Sequence, residues 1–231
     1  MLRPRVVVLS GAGISAESGL KTFRDAGGLW EGHNVMDVAT PQAFAKNPKL
    51  VLQFYNERRR QLLKAQPNKA HQALVNLEEK YDVHVITQNV DDLHERAGST
   101  QVLHLHGELL KARSTQNDGD IMECTKDLKI GDLCKNGFQL RPHIVWFGEA
   151  VPLLEKAATL VSKADYIIFV GTSMQVYPAA SLIDYAPVHT HTFVVDPKPQ
   201  LNAAHANTTV FEENATSGIQ KVVEKLLQEC R

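Results

Sequence analysis

Four short apolar runs punctuate the chain: Val6 to Leu9, Val83 to Thr87, Tyr166 to Val170 and Phe193 to Val195. Each gives way to small or polar residues, and helical spacing fills the stretches between. Ala70, Ala73, Leu74 and Leu77 make one apolar stripe, and Ile219, Val222, Val223, Leu226 and Leu227 make another near the C-terminus. Strands that alternate with amphipathic helices predict a parallel sheet with crossover helices, so the predicted fold class is α/β.

Ligands of such sheets collect at the carboxyl ends of the strands. Here those ends carry Gly11-Ala12-Gly13, Gln88-Asn89-Val90-Asp91, Gly171-Thr172-Ser173 and Asp196. Gly11-x-Gly13-x-x-Ala16 fits the dinucleotide fingerprint in its Ala-ended form, in which a strand turns tightly into a helix whose free N–H groups meet a pyrophosphate. A plain tight turn would satisfy the glycines alone. Four polar strand ends together favour a dinucleotide crevice, and Ser15, Ser18, Thr22, Arg24 and Asp25 bring hydroxyls and charges close behind the turn.

The predicted architecture is a Rossmann-like dinucleotide-binding domain with a smaller inserted lobe, the whole of 1–231 forming one domain. Its large part covers about 1–30, 67–110 and 140–231. The lobe comes from insertions at about 31–66, which reads as helical, and about 111–139, which is polar and rich in turn formers. The cleft between them suits a second substrate.

Charge and cysteine content narrow the partners. Lys and Arg total 25 against 26 Asp and Glu, a formal charge of -1, so no basic field points to nucleic acid. The four apolar residues before Ser10 are too few for a signal-peptide core or a membrane span, and no membrane partner is expected. Cys124, Cys134 and Cys230 are too few and scattered for a disulfide framework, which makes the cytoplasm the expected compartment.

Six motifs in order carry a resemblance to the sirtuins, the NAD-dependent protein lysine deacylases: Gly11-Ala12-Gly13-Ile14-Ser15-Ala16-Glu17-Ser18-Gly19, Phe23-Arg24, Gln88-Asn89-Val90-Asp91-Asp92-Leu93-His94, His106-Gly107, Val145-Trp146-Phe147-Gly148-Glu149 and Gly171-Thr172-Ser173. The chain looks most like the short bacterial members of class III type. The resemblance implies that NAD is a consumed co-substrate. The acyl-lysine oxygen attacks C1′ of the nicotinamide ribose, nicotinamide leaves and an O-alkyl imidate forms. His106 then acts as general base on a ribose hydroxyl, and the products are deacylated lysine, nicotinamide and 2′-O-acyl-ADP-ribose. A histidine with an ordinary pKa of about 6.5 suits that role near neutral pH. His104 would share a face with His106 on an extended segment, but the family pattern places the base immediately before glycine, which selects His106.

By the same resemblance Asn89 joins His106 as a catalytic residue. Gly11, Ala12 and Gly13 would line the pyrophosphate, and Ile14, Asn89 and Asp91 would surround the nicotinamide and its ribose. Arg24 would help close the site, and Ala16, Phe23, Trp30 and Gln88 complete its near wall. Gly171, Thr172 and Ser173 would meet phosphate and adenosine ribose, Asp196 the ribose hydroxyls, and Ala215 the adenine edge. Val145, Trp146 and Phe147 would pair with an extended acyl-lysine protein or peptide.

Tyr55 and Arg58 are three apart on a predicted helix and so project from one face. An arginine fork and a phenol suit a carboxylate, and the pair resembles the one that marks sirtuins removing succinyl, malonyl or glutaryl groups. The implied activity is therefore deacetylation together with desuccinylation and demalonylation. Most relatives hold zinc with two close cysteine pairs. Here Cys124 and Cys134 stand nine residues apart between them, Ser114, Asn117 and Asn136 occupy the partner places, and no zinc is expected. The alternatives are a mono-ADP-ribosyltransferase and a non-catalytic NAD or ADP-ribose sensor. His106 and the Tyr55/Arg58 pair argue against the first, and Asn89, Asp91 and His106 against the second.

Overall fold

The computed structural model describes residues 3–21, 29–30, 32–117, 119–172, 177–199 and 207–229. Its elements run in the order β1 (Arg5–Ser10), α1 (Gly13–Ala16), β2 (Leu29–Trp30), β3 (His33–Asn34), α2 (Val35–Val38), α3 (Pro41–Lys46), α4 (Pro48–Leu62), α5 (Lys69–Asn76), β4 (Asp82–Thr87), α6 (Leu93–Ala97), β5 (Val102–His104), β6 (Gly107–Ser114), β7 (Ile121–Glu123), β8 (Leu140–Ile144), α7 (Leu154–Val161), β9 (Tyr166–Val170), β10 (His191–Val195), β11 (Thr208–Phe211) and α8 (Ala215–Glu229). All four apolar runs are strands, and both stripes are helices.

Six strands pair in the order β11-β10-β9-β1-β4-β5, all in parallel. Successive residues of β1 point to opposite faces. Val6 and Val8 pack with α5 and α8, through Ala70, Leu74, Ile219 and Val222, whereas Val7 and Leu9 pack with α7 through Ala157 and Val161. The sheet is thus covered on both sides, as the unbroken apolar runs require. From β1 the chain builds outward through β4 and β5, then crosses back to place β9 on the other flank of β1. That reversal opens a crevice above the carboxyl ends of β1 and β9.

The smaller lobe is built by α2, α3 and α4 over a three-stranded antiparallel sheet in the order β7-β6-β8. The sheet extends from Gly107 to Ile144, past both ends of the turn-rich segment at 111–139, because β6 continues directly from the strand region that holds His104. Thr40 caps α3 by accepting from Ala43 N–H at 3.0 Å, and Asn47 caps α4 by accepting from Leu50 N–H at 3.2 Å; each is followed by proline at the first helical position. On α4, Val51, Phe54, Tyr55 and Leu62 face a core shared with Val38, Leu109 and Trp146.

The expected helix after the glycine turn is a single turn, Gly13–Ala16. Among the described residues, no helix is long and apolar enough to cross a membrane.

Candidate functional site

The strand ends converge because the β ladder continues into the loops. Gly11 N–H donates to Val170 O at 3.0 Å, Gly13 N–H to Gly171 O at 2.9 Å and Gln88 N–H to Ser10 O at 2.9 Å. The glycines are required by this approach. A Cβ on Gly13 would lie 2.6 Å from Gly171 Cα, one on Gly11 would lie 2.8 Å from Gly171 O, and Gly171 itself has φ +59. The result is a cleft of about 650 Å³ running from this crevice to the smaller lobe.

Gly11, Ala12, Gly13, Ala16, Gln88, Asn89, Asp91, Gly171, Thr172, Asp196 and Ala215 all line the cleft, as do His106, Tyr55, Arg58, Val145, Trp146 and Phe147. Ile14 is placed differently: it is fully buried in the core beside Val6, Val8 and Val170, and does not line the cleft. Phe23, Arg24 and Ser173 lie outside the described residues, as does the side chain of Trp30.

Asn89 is tethered on both sides. Its Nδ2 donates to Gly11 O at 3.1 Å and to Ser15 Oγ at 3.2 Å, and Ser15 Oγ donates in turn to Asp91 Oδ2 at 3.0 Å. Asp91 also accepts from Leu93 N–H at 3.2 Å. Burial raises the Asp91 carboxyl pKa against the lowering effect of those two bonds.

His106 sits between β5 and β6, where the chain leaves the large sheet for the small one. Its Nδ1 lies 3.0 Å from Gln88 O. A carbonyl can only accept, so Nδ1 carries the proton and Nε2 keeps its lone pair. Burial lowers the imidazole pKa more than the Gln88 carbonyl raises it, which keeps the ring neutral near pH 7. Gly107, at φ +82, lets β6 start directly against β8, since a Cβ there would lie 2.1 Å from His143 O. This is the physical reason a glycine follows His106.

The far end of the cleft is framed by aromatic and charged groups that spacing alone did not connect. Tyr55 is fully buried, and its oxygen accepts from Trp146 Nε1 at 3.0 Å. Glu149 holds Trp146 from behind, accepting its backbone N–H at 2.7 Å while binding Arg141 Nη1 at 2.6 Å and Arg113 Nη2 at 3.2 Å. The Arg141 guanidinium stacks 3.3 Å over the Trp146 ring. Burial raises the Glu149 pKa, but the arginines and the Trp146 N–H outweigh it and keep the carboxylate ionised. Burial also pushes the Tyr55 phenol upward, so it remains a neutral O–H.

The N–H groups of Val145, Trp146 and Phe147 are engaged within the protein, with His106 O, Glu149 Oε2 and Ala39 O. Of their carbonyls, that of Trp146 accepts from Glu149 N–H at 3.0 Å.

Cys124 and Cys134 are buried free thiols in an apolar cluster with Leu52, Ala112, Leu128 and Leu140. Among the described residues no group of three or more His, Cys, Asp or Glu is arranged to hold a metal ion. Asn56 ties α4 to this segment: its side chain donates to Leu128 O at 2.8 Å and accepts from Leu128 N–H at 2.9 Å. Arg59 supports that clasp, donating to Asn56 Oδ1 at 2.7 Å and to Leu109 O at 3.1 Å.

Known proteins share both sequence and shape with this chain. The Sir2 family model matches residues 11–178. An NAD-dependent protein deacylase of Helicobacter pylori (strain J99 / ATCC 700824) is 55% identical over 223 residues, covering 96% of this chain and 95% of that protein. A crystal structure of a Sir2 homolog–NAD complex superposes with a TM-score of 0.88 at 40% identity, covering 99% of this chain and 91% of the other. A Sir2–p53 peptide–NAD+ complex gives a TM-score of 0.82 at 31% identity, covering 98% and 95%.

Proposed function

This chain belongs to the Sir2 family and is an NAD-dependent protein deacylase, and within that activity we propose that it removes acidic acyl groups from lysine as well as acetyl. The single observation that carries this reading is the pairing of Tyr55 and Arg58 in the cleft wall, on the lobe side from His106. Both side chains line the cleft, the Tyr55 phenol is fixed by the Trp146 indole, and a phenol together with a guanidinium suits a carboxylate.

NAD fits the crevice. The close approach of Gly11 and Gly13 to Gly171, which a Cβ would block, brings the turn to the neighbouring strand end, and Asp196, almost fully buried at the end of β10, offers a carboxylate to ribose hydroxyls. Gly11, Ala12, Gly13, Ala16, Gln88, Gly171, Thr172 and Ala215 would form the walls. Phe23, Arg24, Trp30 and Ser173 keep the cofactor roles implied by the family motifs, and Ile14 would act from beneath the turn. When bound, NAD supplies a ribose carbon from which nicotinamide can leave. The chain's residues would then orient and deprotonate. Asn89 and Asp91, tied to Ser15, would hold the nicotinamide end, and neutral His106 would take a ribose hydroxyl proton at Nε2.

Proteins or peptides are the substrates, lying along Val145, Trp146 and Phe147. The catalytic unit would be the whole chain, with the segments at about 31–66 and 111–139 forming the acyl side of the cleft. The low cysteine count supports a cytoplasmic setting. The test is nicotinamide release from NAD with one lysine peptide in acetylated, succinylated and unmodified forms, repeated for Arg58→Met. Succinyl-dependent release that falls at least about tenfold in the variant, with acetyl-dependent release retained, is expected. Equal loss for both acyl groups would refute acid recognition, and release with no acyl requirement would favour a transferase.

A further inference from the structure

Two histidines, not one, hold the loop that carries Asn89. His104 ends β5 opposite Thr87 of β4, and Leu105 N–H donates to Thr87 O at 2.9 Å. His104 and His106 therefore face the same way, and their Nδ1 atoms reach consecutive carbonyls: Asn89 O at 3.1 Å and Gln88 O at 3.0 Å. They differ at the other nitrogen. His104 Nε2 lies 2.7 Å from Glu95 Oε1 on α6, with the imidazole side chain 7% exposed. Both partners of His104 are acceptors, so both of its nitrogens carry protons when the two bonds are made.

We propose that His104 is a positioning residue for deacylation: as an imidazolium clamped by Glu95, it fixes the Asn89 carbonyl and keeps the Asn89 side chain against the Gly11 turn, and loss of its proton ends activity on the alkaline side. This deepens the deacylase reading and rests on it.

The surrounding charges favour that state. Burial alone lowers the His104 pKa, but the hydrogen bond and charge of Glu95, the Asn89 carbonyl and Glu108 together raise it above the ordinary imidazole range. The other titratable groups nearby are Asp91 from the loop, His94 from α6, and Lys111 on β6, which pairs with Glu108 at 2.8 Å. His94 is kept neutral by burial and by His71 and His104, so it adds no opposing charge. For His106 the influences are burial and the Gln88 carbonyl, and they leave it neutral. One short segment thus carries two histidines in opposite protonation states, because only one of them meets a carboxylate. A deprotonated His104 has a single N–H for two acceptors, and either Glu95 or Asn89 must let go.

The experiment measures kcat and KM for acyl-peptide turnover between about pH 6 and 10 for the native protein, Glu95→Gln and His104→Gln, beside an NMR titration of isotope-labelled histidine rings. In Glu95→Gln the alkaline midpoint is expected to fall by about one pH unit, with kcat affected more than KM and the acid limb unmoved. His104→Gln, neutral at every pH, is expected to lose that alkaline limb and to plateau at least about tenfold lower. An alkaline limb unmoved by Glu95→Gln, or a native profile in His104→Gln, overturns the proposal. The NMR titration decides independently of turnover: His104 must titrate above His106 and drop in Glu95→Gln, and a His104 that titrates at or below His106 overturns it. A native protein without acyl-dependent nicotinamide release would fail the deacylase reading instead, and the NMR result would still decide the state of His104.

Discussion

Replacing Tyr55 by phenylalanine should destabilise the protein before any substrate is present. The change removes an oxygen and little else: the ring stays packed edge-on against Phe54 at 5.1 Å. What it abandons is the Trp146 indole N–H, 3.0 Å from the phenol oxygen, on a residue only 2% exposed. With both residues almost fully buried, the donor loses its bond and keeps its desolvation penalty, about 1–3 kcal/mol. For a chain of this size each kcal/mol lowers Tm by roughly 2–4 °C. Thermal and urea unfolding of Tyr55→Phe, Trp146→Phe and the double variant would measure this. The double-mutant cycle isolates the bond, and a coupling of about 1 kcal/mol is expected. A Tyr55→Phe protein as stable as the native one, or a coupling indistinguishable from zero, would refute the reasoning. The consequence for function is practical: acyl selectivity is better tested at Arg58, because lost succinyl turnover in Tyr55→Phe mixes recognition with a loosened Trp146.

Three other outcomes follow from groups described above. His106→Tyr should lower turnover by at least about 100-fold while calorimetry still detects NAD binding; in the native protein, activity should rise with pH with its acid midpoint below the ordinary imidazole value of about 6.5, because only the neutral ring is a base and burial lowers its pKa. His71 is fully buried with its pKa lowered by burial from 6.5 to about 4, so the unfolded chain binds the extra proton between those values; stability is complete above about pH 6.5 and falls by about 3 kcal/mol towards pH 4, and urea midpoints that do not change across that window would contradict it. Chelation should leave Tm unchanged and purified protein should lack stoichiometric zinc, whereas Leu128→Ala, which empties the apolar cluster around Cys124 and Cys134, should lower stability by about 2–5 kcal/mol; a chelator-induced drop in Tm would show that the lobe depends on metal.

Much of this protein was legible in the sequence by itself. Period and length decide which segments are strands and helices, because a strand covered on both faces must be an unbroken apolar run and a covering helix must show a stripe; Tyr166 to Val170 and the stripe from Ile219 to Leu227 meet those conditions without outside help. Local chemistry is equally legible. Gly11-Ala12-Gly13 marks a turn at a strand end, His106-Gly107 sets a histidine before a backbone position that only glycine fits, and Tyr55 with Arg58 share a helix face. Tertiary structure alone decided what meets across the chain. The glycines serve the approach of β1 to β9 as much as any ligand, a contact between residues some 160 positions apart that no local pattern encodes. Ile14 turned into the core because the short α1 presents it to β1 and α8. The Glu149 hub behind Trp146, and the Glu95 carboxylate that separates His104 from His106, depend on distance, burial and the number of acceptors within reach. Those quantities exist only once the chain has folded, and they raise the pKa of His104 while lowering that of His106.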